Sequence, residues 1–198
     1  TENEFIIQMF GIDEKRKTYS ITIKNFKPFF YIKIPSNWSQ DIISEYVLKL
    51  KKDIDAEEKK YKISHSIVNK HKLYGFDGYK NHTFIMLTCD NLYPIYAIKK
   101  LFYDSKNQRI FKEGYKFNDE STFIYEVQIP PMLRYFHIQN ISPSGWIETK
   151  KFMIVKNKKT KCNYEIISNY ENIISLPDKE ISVPFKVCSF DIEASSSH

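Results

Sequence analysis

The stretch PFFYIKIPSNWSQDIISEYVLKLKK, residues 28–52, changes period midway, and that change decides the fold. Phe29 to Ile34 is aromatic and β-branched and reads as a strand ended by Pro35. Ser36 then offers an N-cap, and Trp38, Ile42, Tyr46 and Leu50 recur every four residues beside Ile43 and Val47. That spacing predicts an amphipathic helix running to about Lys52. Downstream, Lys62 to Lys72 alternates loosely and Thr83 to Cys89 clearly, so both are expected to be strands. Asn91 is expected to cap a second helix with an apolar stripe of Leu92, Ile95, Ile98 and Leu101. Pro94 fits there because it falls in the first turn. Strand, helix, strand, strand, helix, with room for a last strand before Phe111, is the split βαβ plan of ferredoxin-like domains and RNA-recognition motifs.

The flanks read differently. Phe5 to Ile12 and Thr18 to Ile23 bracket a charged turn and form a hairpin. Residues 112–122 are polar and loop-like, and Met132 to His137 forms a short helix after Pro130-Pro131. Gly145 to Ile147, Phe152 to Val155 and Tyr164 to Ile167 carry strand signals. The expected class is α+β: a β-rich, small barrel-like part (residues 1–28 and 123–184) holding an inserted ferredoxin-like unit (residues 29–122). Residues 185–198 would begin a further domain.

Composition sets limits on function. With 42% hydrophobic and 16% aromatic residues, the chain can bury a real core and is not a disordered tail. The net charge of +6 is mild, but lysines cluster at Lys51-Lys52, Lys59 to Lys62 and Lys156 to Lys161. Lys156, Lys158, Lys159 and Lys161 are candidate contacts to a phosphate backbone, with Tyr61 and Tyr164 interleaved where bases can stack. Cys89, Cys162 and Cys188 have no zinc spacing and no disulfide framework, which fits an intracellular compartment. No stretch approaches a membrane span and the start of the chain lacks a signal-peptide pattern, so no membrane partner is expected.

Phe185-Lys186-Val187-Cys188-Ser189-Phe190-Asp191-Ile192-Glu193-Ala194 reads as a buried strand. Alternation along it places Asp191 and Glu193 on one side, with Phe190 and Ile192 on the other. Two adjacent carboxylates suit a hard divalent cation, and paired metals held this way can cleave a phosphodiester. The pattern Asp-x-Glu by itself is unspecific; its flanks are what matter.

Ser189 to His198 resembles the first exonuclease motif of family B DNA polymerases, in the form found in large DNA viruses and, nearly so, in the delta type. Further stretches resemble the same enzymes in order: Phe26 to Tyr31, Leu73 to Gly78, Tyr125-Glu126, Arg134-Tyr135-Phe136 and Gly145-Trp146-Ile147. The last departs from the family pattern in having its glycine and tryptophan adjacent. The resemblance implies the amino-terminal part of a replicative DNA-directed DNA polymerase with 3′→5′ proofreading. Asp191 and Glu193 would be its catalytic, metal-binding carboxylates, with Mg²⁺ as cofactor. It also implies a DNA template and primer, deoxynucleoside triphosphates and a sliding clamp as partners, and a host-cell replication compartment if the source is viral. Since the remaining exonuclease and polymerase motifs are absent, these 198 residues are expected to be architectural, with Arg134 and Trp146 as internal supports. The rival readings are a stand-alone single-stranded nucleic-acid-binding module and a nuclease without a polymerase. His65, His71, His82, His137 and His198 are scattered and suggest no metal site or triad.

Overall fold

The computed structural model describes residues 4–72, 77–183 and 188–192. The chain opens with the hairpin β1 (Ile7–Ile12) and β2 (Thr18–Lys24), then β3 (Phe29–Lys33), α1 (Gln40–Asp53), β4 (Ile63–His71), β5 (Asn81–Cys89) and α2 (Tyr93–Leu101). Two short pairs follow, β6 (Tyr103–Asp104) with β7 (Arg109–Ile110) and β8 (Tyr115–Phe117) with β9 (Glu120–Tyr125). After α3 (Pro131–Gln139) come β10 (Ile147–Thr149), β11 (Met153–Ile154), β12 (Tyr164–Asn169) and β13 (Ile173–Ser175).

The larger sheet has the order β4-β5-β3-β9-β8, antiparallel throughout. β5 therefore lies between β3 and β4, the two strands joined through α1, which is the split βαβ arrangement. Alternation along these strands sends Phe30, Ile32, Ile85, Leu87 and Ile124 to the helical face, where they are buried with Tyr46 and Leu50 of α1 and Ile95 and Ile98 of α2. Each such side chain contributes about 1.5–3 kcal/mol on burial. The Tyr46 hydroxyl is 2.8 Å from Thr122 Oγ1, and Thr122 in turn donates to the Tyr115 carbonyl at 2.9 Å, tying α1 to β9 and β8.

The fourth strand of this unit is β9, so residues 112–122 are not simply a loop, and the expected boundary at 122/123 falls inside a strand. Polar residues mask it: Glu120, Ser121 and Thr122 precede the apolar Phe123 and Ile124, and Thr122 is buried through its hydroxyl bonds. The start of α1 also shifts. Trp38 N–H donates back to the Pro35 carbonyl in a turn, so Ser39 and not Ser36 is the N-cap, its hydroxyl accepting from Ile42 N–H at 3.4 Å. Before α2, Asn91 accepts from Tyr93 N–H at 3.0 Å but stands one residue ahead of the cap position.

The second sheet has the order β1-β2-β12-β11, with β12 parallel to β2. Ile7, Ile21, Ile23 and Ile166 point to its inner face and form a core with Phe26, Ile173 and Tyr135 of α3. This sheet is open, with β1 and β11 at its edges, where the sequence suggested a small barrel. β11 pairs over only two residues before the lysine turn leads the chain away, leaving too little strand to continue the sheet. No helix among the described residues is long and apolar enough to cross a membrane.

Candidate functional site

Only the beginning of the exonuclease-like motif falls in the described stretch 188–192, which pairs with no described strand. A strand needs a neighbour to satisfy its backbone, so the buried strand expected here does not form in the described residues. Phe190 and Ile192 are 81% and 78% exposed, and Cys188 is exposed too. Asp191 stands in solvent with Oδ1 accepting from Ile192 N–H at 2.8 Å. Glu193 lies outside the described residues, as do Leu73 to Phe76 of the upstream resemblance. Among the described residues no group of three potential ligands could hold a metal. A single solvated carboxylate does not fit the ligand count that Mg²⁺ or Ca²⁺ requires.

The lysine loop between β11 and β12 is held from within. Glu165, paired with Ser20 on β2, is buried, and its Oε1 accepts N–H bonds from Lys159 at 2.8 Å and from Thr160. The Thr160 side chain and then the Lys159 N–H hold this carboxyl below the usual carboxylate range. Lys158 turns back on its own loop, Nζ donating to the Cys162 carbonyl at 2.8 Å and the Asn163 carbonyl at 3.2 Å. Lys156, Lys159 and Lys161 are exposed on the resulting rigid turn. The four candidate lysines thus divide into one structural and three outward ones. Sequence reasoning missed Glu165, whose only signal is a charged residue within an otherwise apolar strand.

Arg134 and Glu126 come together although eight residues apart. Glu126 has a left-handed backbone, φ 58°, that turns the chain out of β9 toward α3. Arg134 Nη1 donates to Glu126 Oε2 at 2.7 Å and Nη2 to the Glu126 carbonyl at 3.1 Å. The guanidinium also stacks 4.4 Å above the Phe29 ring on β3, so one buried side chain joins α3 to the larger sheet. Tyr31 and Phe84, on the sheet face opposite the helices, are 6% and 3% exposed, which makes them packing residues and not a base-stacking platform. Trp146 donates from Nε1 to the Ile181 carbonyl at 2.8 Å beneath Lys179, a support as well.

Residues 122–198 match the family described as DNA polymerase family B, exonuclease domain. These residues, 77 of the 198, are similar to that family. The chain is 42% identical to the DNA polymerase of Phaeocystis pouchetii virus over 203 aligned positions, covering 98% of this chain and 19% of that protein. Against the DNA polymerase of Acanthamoeba polyphaga mimivirus the identity is 27%, over 98% of this chain and 12% of the relative. The DNA polymerase delta catalytic subunit of Schizosaccharomyces pombe is 26% identical, over 94% of this chain and 17% of its own length. The chain therefore spans less than a fifth of the curated relatives it matches. The solved family B DNA polymerase of Pyrobaculum calidifontis shares the fold, with TM-score 0.54 over 85% of this chain and 19% of that one, at 12% identity. Family B exonuclease and polymerase domains are in general metal-dependent.

Proposed function

We propose that the chain is the segment leading into the proofreading exonuclease of a replicative DNA-directed DNA polymerase, and that this segment is itself architectural. The observation that carries the reading is 42% identity to a viral DNA polymerase across 98% of the chain, with the exonuclease family matched at residues 122–198. Asp191 and Glu193 would serve as two of the exonuclease carboxylates, binding Mg²⁺ once strands beyond the described residues complete the site. Two carboxylates on one strand can share a divalent cation, which supplies an activated water and charge stabilisation for phosphodiester hydrolysis. Residues 29–125 act as a ferredoxin-like brace, and Arg134 fixes it to the β-rich part. Lys156, Lys159 and Lys161 graze the phosphate backbone, while Lys158 shapes their loop. The parent protein would take template, primer and deoxynucleoside triphosphates, engage a sliding clamp, and work in the replication compartment of its host cell.

Incubation of the purified 198-residue chain with 3′-labelled single-stranded DNA and Mg²⁺ tests the architectural role. No release of label is expected. Release that Asp191→Ala abolishes would show that the segment is a nuclease in its own right.

A further inference from the structure

Two lysines far apart in the first half of the chain, Lys59 and Lys100, are brought by folding to one groove. Lys51 and Lys52 close α1, Lys59 and Lys60 lie in the turn after it, and Lys99 and Lys100 close α2. Between these elements runs an open groove of about 380 Å³ lined by Tyr61, Tyr93, Tyr96, Lys59 and Lys100. None of its lining residues belongs to the lysine loop after β11 or to the stretch 188–192. Of the acidic side chains near this end of α1, Asp53 is held by Lys49 at 2.8 Å and the Tyr115 hydroxyl at 2.6 Å and Asp55 by Lys59 at 3.3 Å, while Glu57 and Glu58 are exposed. The groove lining itself carries two lysines, Lys59 and Lys100, against one carboxylate, Asp53.

α2 explains why the aromatic rings face outward. Ile95, Ile98 and the following Phe102 take the core stripe. Tyr93, Tyr96, Ala97 and Lys100, spaced i, i+3, i+4 and i+7, share the opposite stripe and line the groove together. Tyr93 and Tyr96 are 65% and 56% exposed. Two exposed rings one turn apart, flanked by lysines, match the chemistry that binds unpaired bases: stacking on the rings, with ammonium groups along the phosphates.

We propose that this groove is a binding site for single-stranded nucleic acid, recognised by base stacking on Tyr93 and Tyr96 and by backbone contact with Lys100 and its neighbours. The site stands independently of the polymerase reading, because it uses none of the exonuclease carboxylates. Stacking contributes about 1–3 kcal/mol per base, or roughly a 5- to 140-fold change in affinity when a ring is removed.

The test is fluorescence anisotropy of labelled dT12 with the 198-residue chain at low salt, combined with photocrosslinking of a bromodeoxyuridine-substituted strand mapped by mass spectrometry. The expected results are at least a fivefold loss of affinity for the Tyr93→Ala/Tyr96→Ala variant, near wild-type binding for Tyr93→Phe/Tyr96→Phe, and crosslinks at Tyr93 or Tyr96. Circular dichroism of the alanine variant should match wild type, as both rings are exposed. Crosslinks confined to residues 156–161, an alanine variant that binds within twofold of wild type, or displacement of dT12 by an equimolar polyglutamate peptide would each overturn the proposal. The last result would mark the groove as a docking surface for acidic protein segments.

Discussion

Replacing Arg134 with alanine separates an internal support from a DNA contact. The substitution removes two hydrogen bonds to Glu126 and a guanidinium stacked 4.4 Å over Phe29. The ion pair is partly solvated, since the Glu126 side chain is 43% exposed, so it contributes about 0.2–1 kcal/mol. The bond from the charged fork to the backbone carbonyl is worth about 1.5 kcal/mol and the stacking about 1 kcal/mol. Together they amount to about 3 kcal/mol. With a urea slope of about 2–3 kcal/mol/M, the midpoint should fall by about 1–1.5 M. Arg134→Lys keeps the charge but cannot form the fork and should lose about half as much. Glu126→Gln keeps an acceptor and should stay within about 1 kcal/mol of wild type. Tryptophan fluorescence during urea titration reads all three. A midpoint for Arg134→Ala unchanged within about 0.2 M, accompanied by weaker DNA binding, would refute the structural role and make Arg134 a ligand contact.

Two further outcomes follow from the described geometry. Glu165 has its carboxyl pKa depressed in the folded chain by the Thr160 and Lys159 bonds, so its stabilisation is present above the ordinary carboxylate value of 4.5 and lost as pH falls through the folded one. NMR amide shifts of Lys159 and Thr160 should therefore titrate together with a midpoint below 4.5, whereas a midpoint at or above it would mean the loop is not held by Glu165. Cys89 is buried, its thiol pushed up to about 12 by burial and then by Asp90, while Cys188 is exposed. Alkylation should modify Cys188 in the native chain and Cys89 only on unfolding; protection of Cys188 would place residues 188–192 in a buried strand after all.

The parts of the fold that the sequence discloses are those where side-chain periodicity is dictated by a single neighbour. α1 is legible because Ile43, Tyr46, Val47 and Leu50, at helical spacing, all enter the same core, and β5 because its alternation serves that core. β9 is hidden because Thr122 is buried through hydroxyl bonds to Tyr46 and Tyr115, a compensation that only the folded partners reveal. The barrel expectation fails because strand signals show that a segment can pair but not which edge it finds, and β12 finds β2 in parallel. The candidate site is legible as family resemblance, not as geometry. Asp191 carries its motif in sequence, yet the stretch 188–192 pairs with no described strand and leaves it in solvent. Glu126 and Arg134 both belong to the resemblance as separate short matches, and the structure shows that they are one contact. The tyrosine groove has no sequence signature, because Tyr61, which follows the turn after α1, meets Tyr93 and Tyr96 of α2 only in the folded chain.

The most direct test of the polymerase account uses the complete gene product, assayed in Mg²⁺ for primer extension and for 3′→5′ degradation of a mismatched primer. Asp191→Ala and Glu193→Ala should each abolish degradation while extension continues at the wild-type rate, with misincorporated ends accumulating. Degradation that persists in both variants would contradict the assignment of these carboxylates, and a product that degrades but never extends would contradict the polymerase itself.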